Sequence, residues 1–99
     1  MKEVKWTKLA DNSLGRTINY LKENWTEKEI KNFLFALQST IIRLRKYPET
    51  SIAIKGKEFR RAVIDKNNNL IFRVKPSMLI ILYIWDSRQN PQKLKKIIE

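Results

Sequence analysis

Phe59-Arg60-Arg61-Ala62-Val63-Ile64, Asp65-Lys66-Asn67-Asn68-Asn69, Leu70-Ile71-Phe72-Arg73-Val74-Lys75, Pro76-Ser77 and Met78-Leu79-Ile80-Ile81-Leu82-Tyr83-Ile84-Trp85 follow one another without a break. Bulky and β-branched residues fill the first, third and fifth pieces, which is strand composition. The two pieces between them are turn chemistry, because Asn and Asp tolerate positive φ and Pro fixes its own. Leu70, Phe72 and Val74 fall on one side of their strand, Arg73 and Lys75 on the other. Met78 to Trp85 is apolar at every position, which predicts a strand covered on both faces. Three strands joined by two short turns make an antiparallel meander.

Upstream the period lengthens. Val4-Lys5-Trp6 alternates and reads as a short first strand. Thr7 caps a helix whose apolar stripe is Leu14, Ile18, Leu21 and Trp25, ending near Glu23-Asn24. Gly15 inside it predicts a close approach to the next helix. Thr26-Glu27-Lys28-Glu29 is a capping box. It opens a longer helix with Ile30, Phe33, Leu34, Leu37, Ile41 and Leu44 on one face, stopped at Tyr47 by Pro48. A link of a residue or two makes the helices an antiparallel hairpin. Residues 49–58 are polar and read as irregular, with Gly56. Past Trp85, Asp86-Ser87-Arg88-Gln89-Asn90-Pro91 closes the meander, and Pro91 starts a short helix through Gln92–Ile98. The reading is a two-layer α+β domain spanning 1–99: an N-terminal strand and helical hairpin packed on a three-stranded antiparallel meander, in the order β-α-α-β-β-β.

Composition excludes much chemistry. With no Cys and no His among 99 residues, thiolate nucleophiles, zinc–thiolate sites and His-based triads are out. Lys and Arg number 21 against 10 Asp and Glu, a net charge of +11. A field of that sign favours an acidic partner, whether nucleic acid, protein or membrane surface. The first 50 residues carry net +4 and the remainder +7, so the meander half is the more basic. The longest apolar run, Met78 to Trp85, is far short of the ~20 residues of a membrane span. The start of the chain has no apolar segment of the secretory kind. The expectation is a soluble, cytoplasmic protein without membrane contact.

Arg60 and Arg61 are adjacent in a strand and point to opposite faces, so only one can join Arg73 and Arg88 in a shared basic area. Guanidinium forks grip phosphate or carboxylate bidentately. Asp86 can pair with Arg88 or cap the last helix, and Trp85 can fill the edge of the core or stack beside a guanidinium. Tyr83 reads as core. No pair of carboxylates stands out as an acid–base couple. Asp11, Glu27 and Glu29 read as charges complementing helix starts, and Lys93, Lys95 and Lys96 as a solvated helix face.

Val4-Lys5-Trp6, the helical segment ending in Leu44-x-x-Tyr47-Pro48, Phe59-Arg60-Arg61-x-Val63, Leu70-Ile71-Phe72-Arg73-Val74 and Ile84-Trp85-Asp86-x-Arg88-Gln89-Asn90-Pro91 together resemble the RelE/ParE superfamily of type II toxin–antitoxin toxins. The closing Arg-Gln-Asn-Pro looks more like the ParE branch. RelE-like toxins cut mRNA on the ribosome, and ParE-like toxins bind DNA gyrase and hold its cleaved-DNA state. Arg60 falls where RelE-like toxins have a first basic residue, Ala62 where they have a second, and Asn69 where they have an essential Arg. Arg88 matches a later Arg within a residue, and no Tyr follows Tyr83. The resemblance therefore implies a gyrase poison rather than an enzyme. Its target-binding residues would be Arg60, Arg61, Arg73, Trp85, Arg88 and Asn90, with no metal and no cofactor. The alternative it leaves is a metal-independent endoribonuclease acting on mRNA at the ribosome, with Arg60, Arg73 and Arg88 as catalytic groups. It also implies a heteromeric complex with a cognate acidic antitoxin, seated in a groove including Trp25, Phe35 and Trp85, for which the C-terminal segment would compete.

Overall fold

The computed structural model describes residues 1–55, 58–88 and 91–98. Strand β1 (Glu3–Trp6) leads into helices α1 (Lys8–Asn24) and α2 (Glu27–Lys46), a 3₁₀ turn (Pro48–Thr50), strands β2 (Ile52–Lys55), β3 (Phe59–Val63), β4 (Asn68–Val74) and β5 (Met78–Asp86), and helix α3 (Pro91–Ile98). The class is α+β in two layers, with the helical hairpin against one face of an antiparallel meander. The meander belongs to a five-stranded sheet ordered β1-β5-β4-β3-β2. Residues 52–55, expected to be irregular, form an antiparallel strand on β3, bulged between Ala53 and Lys55. Glu3–Trp6 runs parallel to β5, with Trp6 opposite Ile81.

Both helix starts follow the capping rules. Thr7 Oγ1 accepts from Ala10 N at 3.1 Å, and Thr26 Oγ1 from Glu29 N at 3.4 Å. Each satisfies one of the backbone donors that a helix start leaves without a carbonyl. Phe33, Leu37 and Leu44 of α2 are buried on Leu70, Phe72, Leu79, Ile81 and Ile84 of the sheet. The face of α1 that reaches this core most deeply is small: Ala10 is fully buried and Ser13 is 2% exposed. Trp25, expected on the buried stripe, keeps half of its surface in solvent.

Those small residues let α1 lie against the edge of β5 where β1 has ended. Thr7 donates from both N and Oγ1 to Ile81 O, at 3.1 and 2.9 Å. Ser13 Oγ then accepts from Ile84 N at 2.9 Å while donating to Ala10 O at 2.8 Å. Polar backbone that would otherwise be buried without partners is thus completed by two side chains, which offsets a cost of about 1–3 kcal/mol per orphaned group. At the other end Lys2 Nζ donates to Lys75 O and Pro76 O at 2.6 and 2.8 Å, tying the first strand to the β4–β5 turn.

The β4–β5 pairing shifts register between Ile71 and Phe72, which face Tyr83 and Ile81 and leave Leu82 as an extra residue. The bulge breaks the alternation. Ile81 and Ile84 face the helices, while Tyr83 and Trp85 join Ile71 on the far side of the sheet, against Leu94 of α3.

A Cβ built on Gly15 meets nothing within 4 Å, so the close approach expected there is not made. Gly15 carries only its entropic cost. Gly15→Ala should raise stability by about 0.5–1 kcal/mol in urea unfolding; a loss of stability would contradict this placement.

Candidate functional site

The pairing of β3 with β4 sorts the arginines. Arg60 stands opposite Phe72 and Arg61 opposite Ile71. Phe72 belongs to the core under the helices and Ile71 to the cluster on the far side. Because successive side chains alternate, Arg60 lies on the helix side, and Arg61 and Arg73 share the far side. Arg60 braces the chain entering β2: its Nε donates to Ser51 Oγ at 2.6 Å and its Nη2 to Ser51 O at 2.7 Å. Arg88 lies beyond the end of β5, over the Tyr20 ring at 5.8 Å. The four guanidiniums therefore occupy three places, and only Arg61 and Arg73 form a pair on one face. Asn90 lies outside the described residues.

The far face is built around Phe59, Arg61, Ile71, Arg73, Tyr83 and Trp85. Arg73 lies over the Phe59 ring at 5.2 Å and pairs with Glu58, whose Oε1 also takes Lys75 Nζ at 2.7 Å. Hydrogen bonds from Lys75 and Arg73 hold the Glu58 carboxyl below the usual carboxylate range. Three donors on this face, Arg61 Nε, Arg73 Nε and Trp85 Nε1, are buried without an acceptor among the described residues. A buried donor left unmatched is costly, and an oxygen from a bound partner would satisfy it.

At the end of the sheet Asp86 takes Arg88 in a fork, Nε to Oδ1 at 2.9 Å and Nη2 to Oδ2 at 2.6 Å, and accepts from Arg88 N at 2.8 Å. Of the two readings open for Asp86, the structure shows the pair. The Arg88 hydrogen bond holds the Asp86 carboxyl low, against the opposing effect of burial, and the same pair raises the Arg88 guanidinium further. Both carboxylates near the guanidiniums are thus locked as ions, weak bases with no proton to give. Tyr83, 3% exposed, meets Arg16 Nη2 through its hydroxyl at 3.3 Å. The arrangement suits gripping oxygen-rich partners better than moving protons. Among the described residues no three His, Cys, Asp or Glu side chains come together as metal ligands. No helix among them is long and apolar enough to cross a membrane.

Trp25, Phe35 and Trp85 do not line one groove. Trp25 and Phe35 are on the helical hairpin, 51% and 72% exposed, whereas Trp85 is 6% exposed on the opposite side of the sheet. Trp85 fills the core there and offers no open stacking face. Sequence reading singles out neither Glu58 nor Arg16. For Arg16 the signal was its spacing with Ser13, Thr17 and Tyr20 on one face of α1. Glu58 had only its place before β3.

No family model and no curated protein matches the sequence. Solved structures do match in fold. A copper-bound mutant toxin from Helicobacter pylori is 24% identical over 87% of this chain and 94% of that one, with a TM-score of 0.62. The chromosomal ParDE toxin–antitoxin system of P. aeruginosa gives 17% identity, 87% and 96% coverage, and a TM-score of 0.70. The E. coli DinJ–YafQ complex gives 11%, 87% and 93%, and 0.57. These likenesses span nearly the whole of each partner chain and establish a shared fold, the one that the resemblance to RelE/ParE toxins implies.

The two locked carboxylates set a direction for acid stability. A carboxyl whose folded-state pKa is depressed contributes stability above its unfolded pKa and loses it as pH falls through the folded one. NMR titration should place the Glu58 and Asp86 midpoints below those of unpaired carboxyls in the same chain. Arg88→Ala should raise the Asp86 midpoint and leave that of Glu58 where it was. An Asp86 midpoint indifferent to Arg88→Ala would contradict the pairing.

Proposed function

We propose that this chain is the toxin of a type II toxin–antitoxin module, of the ParE-like kind, which arrests growth by binding DNA gyrase and is neutralised by a cognate acidic antitoxin. The observation that carries the proposal is the far face of the sheet. There Arg61, Arg73 and Trp85 present buried donors without acceptors among the described residues, and the Glu58 carboxylate is locked between two cations. A surface of that kind holds a macromolecule without transforming it. The shared fold with the ParDE system supports the toxin reading, as does the net charge of +11, which steers an acidic antitoxin segment towards the chain. Asn69 and Ala62 stand where the mRNA-cutting branch would place basic groups, and the chain has no His to serve as base or acid. Ala62 is also buried in the core, where no basic side chain could serve.

The second reading, a ribosome-dependent endoribonuclease, draws on the likeness to the DinJ–YafQ complex. Under it the far-face guanidiniums would neutralise a phosphodiester in reaction.

Purified chain incubated with gyrase and supercoiled plasmid should yield linear DNA after protein digestion. Arg61→Ala with Arg73→Ala should reduce the yield about ten- to hundredfold at fixed concentration, the effect of losing two charge-assisted contacts. Induced expression should stop growth, and co-expression of a small acidic antitoxin should restore it. Cuts within codons of translated mRNA, with gyrase activity untouched, would replace this reading with the second.

A further inference from the structure

The far face carries a row of cations. Arg61 stands opposite Ile71, two positions before Arg73, and Lys75 follows Arg73 by two, which keeps all three on one side of the sheet. Neighbours related in this way lie about 7–8 Å apart. A basic row of this kind is the ordinary footprint of a surface that follows a nucleic-acid backbone.

Here the row is interrupted. Glu58 precedes β3, and its carbonyl O accepts from Val74 N at 3.0 Å, which fixes it beside the end of β4. Its Oε1 takes both Arg73 Nη2 and Lys75 Nζ, the latter at 2.7 Å. One carboxylate thus occupies two of the three cations, in a chain with only 10 acidic side chains for 21 basic ones. The Arg73, Glu58 and Lys75 side chains remain 33%, 39% and 44% exposed. Ion pairs so exposed contribute little to stability, so stability does not account for the placement.

The donors that Glu58 leaves free are of another kind. Arg61 Nε, Arg73 Nε and Trp85 Nε1 are buried without acceptors among the described residues. Single oxygens on a shaped protein surface suit such donors. A line of phosphates needs the outer cations, and there it meets a carboxylate. A repulsive element of this sort is a general route to specificity.

We infer that Glu58 is a specificity-determining residue of the far face: by occupying Arg73 and Lys75 it keeps that face off nucleic-acid backbone and leaves it to a protein surface. The inference rests on the reading of this face as the one that holds a protein, and its test runs without gyrase, so either can fail alone.

The full chain is titrated into a fluorescein-tagged DNA duplex of mixed sequence, followed by anisotropy over a range of salt. Glu58→Gln should tighten binding about five- to tenfold at low salt and steepen the fall of log K with log salt by about 1–2, as two freed cations require. Glu58→Lys should go further. Glu23→Gln removes the same charge from the exposed end of α1 and should change affinity by less than about twofold. Arg73→Ala with Lys75→Ala should abolish the gain from Glu58→Gln. A gain no larger than that of Glu23→Gln, an unchanged salt slope, or a gain that persists without Arg73 and Lys75 would overturn the inference.

Discussion

Strand β5 is apolar on both faces, and the fold must keep water from both while leaving none of its backbone unpaired. On one side it pairs with β4 along its length except at the bulge that leaves out Leu82. On the other, β1 supplies only four residues, and the pairing ends at Trp6. Thr7 and Ser13 finish it, Thr7 by donating to Ile81 O and Ser13 by accepting from Ile84 N. Both side chains also serve the start of α1, Thr7 as its cap and Ser13 by donating back to Ala10 O. The helix is therefore held where the strand needs it, and the absence of bulk at Ala10 and Ser13 is a condition of that fit. Everything else is arranged around this seam: α2 closes over the core, and α3 covers the other face through Leu94.

A sheet with its hairpin on one face has two unlike sides, and the side-chain period of two decides which residues go where. Arg60 and Arg61 differ by one position and are assigned to different tasks. Arg60 is used up in holding Ser51. Arg61 joins Arg73 on the side away from the hairpin, where the Nε of each is buried without an acceptor among the described residues. Burial strengthens a charged donor electrostatically and makes its lack of an acceptor costly. A partner's carboxylate or phosphate oxygens would remove that cost, so this face has a reason to bind that a solvated lysine patch has not.

Much of this was legible in the residues. The helical stripes, the two threonine caps, the Asn-rich and Pro-Ser turns and the covered nature of Met78–Trp85 all follow from local rules. What was hidden depends on distant contacts. Ile52-Ala53-Ile54-Lys55 alternates correctly, but four residues between polar neighbours carry little signal, and only pairing with β3 makes them a strand. The parallel register of β1 on β5 joins segments more than seventy residues apart. The bulge at Leu82 is invisible in a uniformly apolar run, yet it sends Trp85 to the far side and separates it from Trp25 and Phe35. Strand parity predicted that Arg60 and Arg61 would part. It could not say which would be the one beside Arg73, because that requires the register of β3 on β4.

The claim at the centre of this account is that the target is held by the face bearing Arg61 and Arg73. Val63, two residues beyond Arg61 on the same side and 57% exposed, reports on that face, while Ile42 of α2, 51% exposed, reports on the hairpin. A photo-crosslinking residue placed at each position in turn, in growth-arrested bacteria, measures the contact directly. The account predicts a gyrase adduct from the Val63 position and none from Ile42; a gyrase adduct from Ile42 with none from Val63 would contradict it.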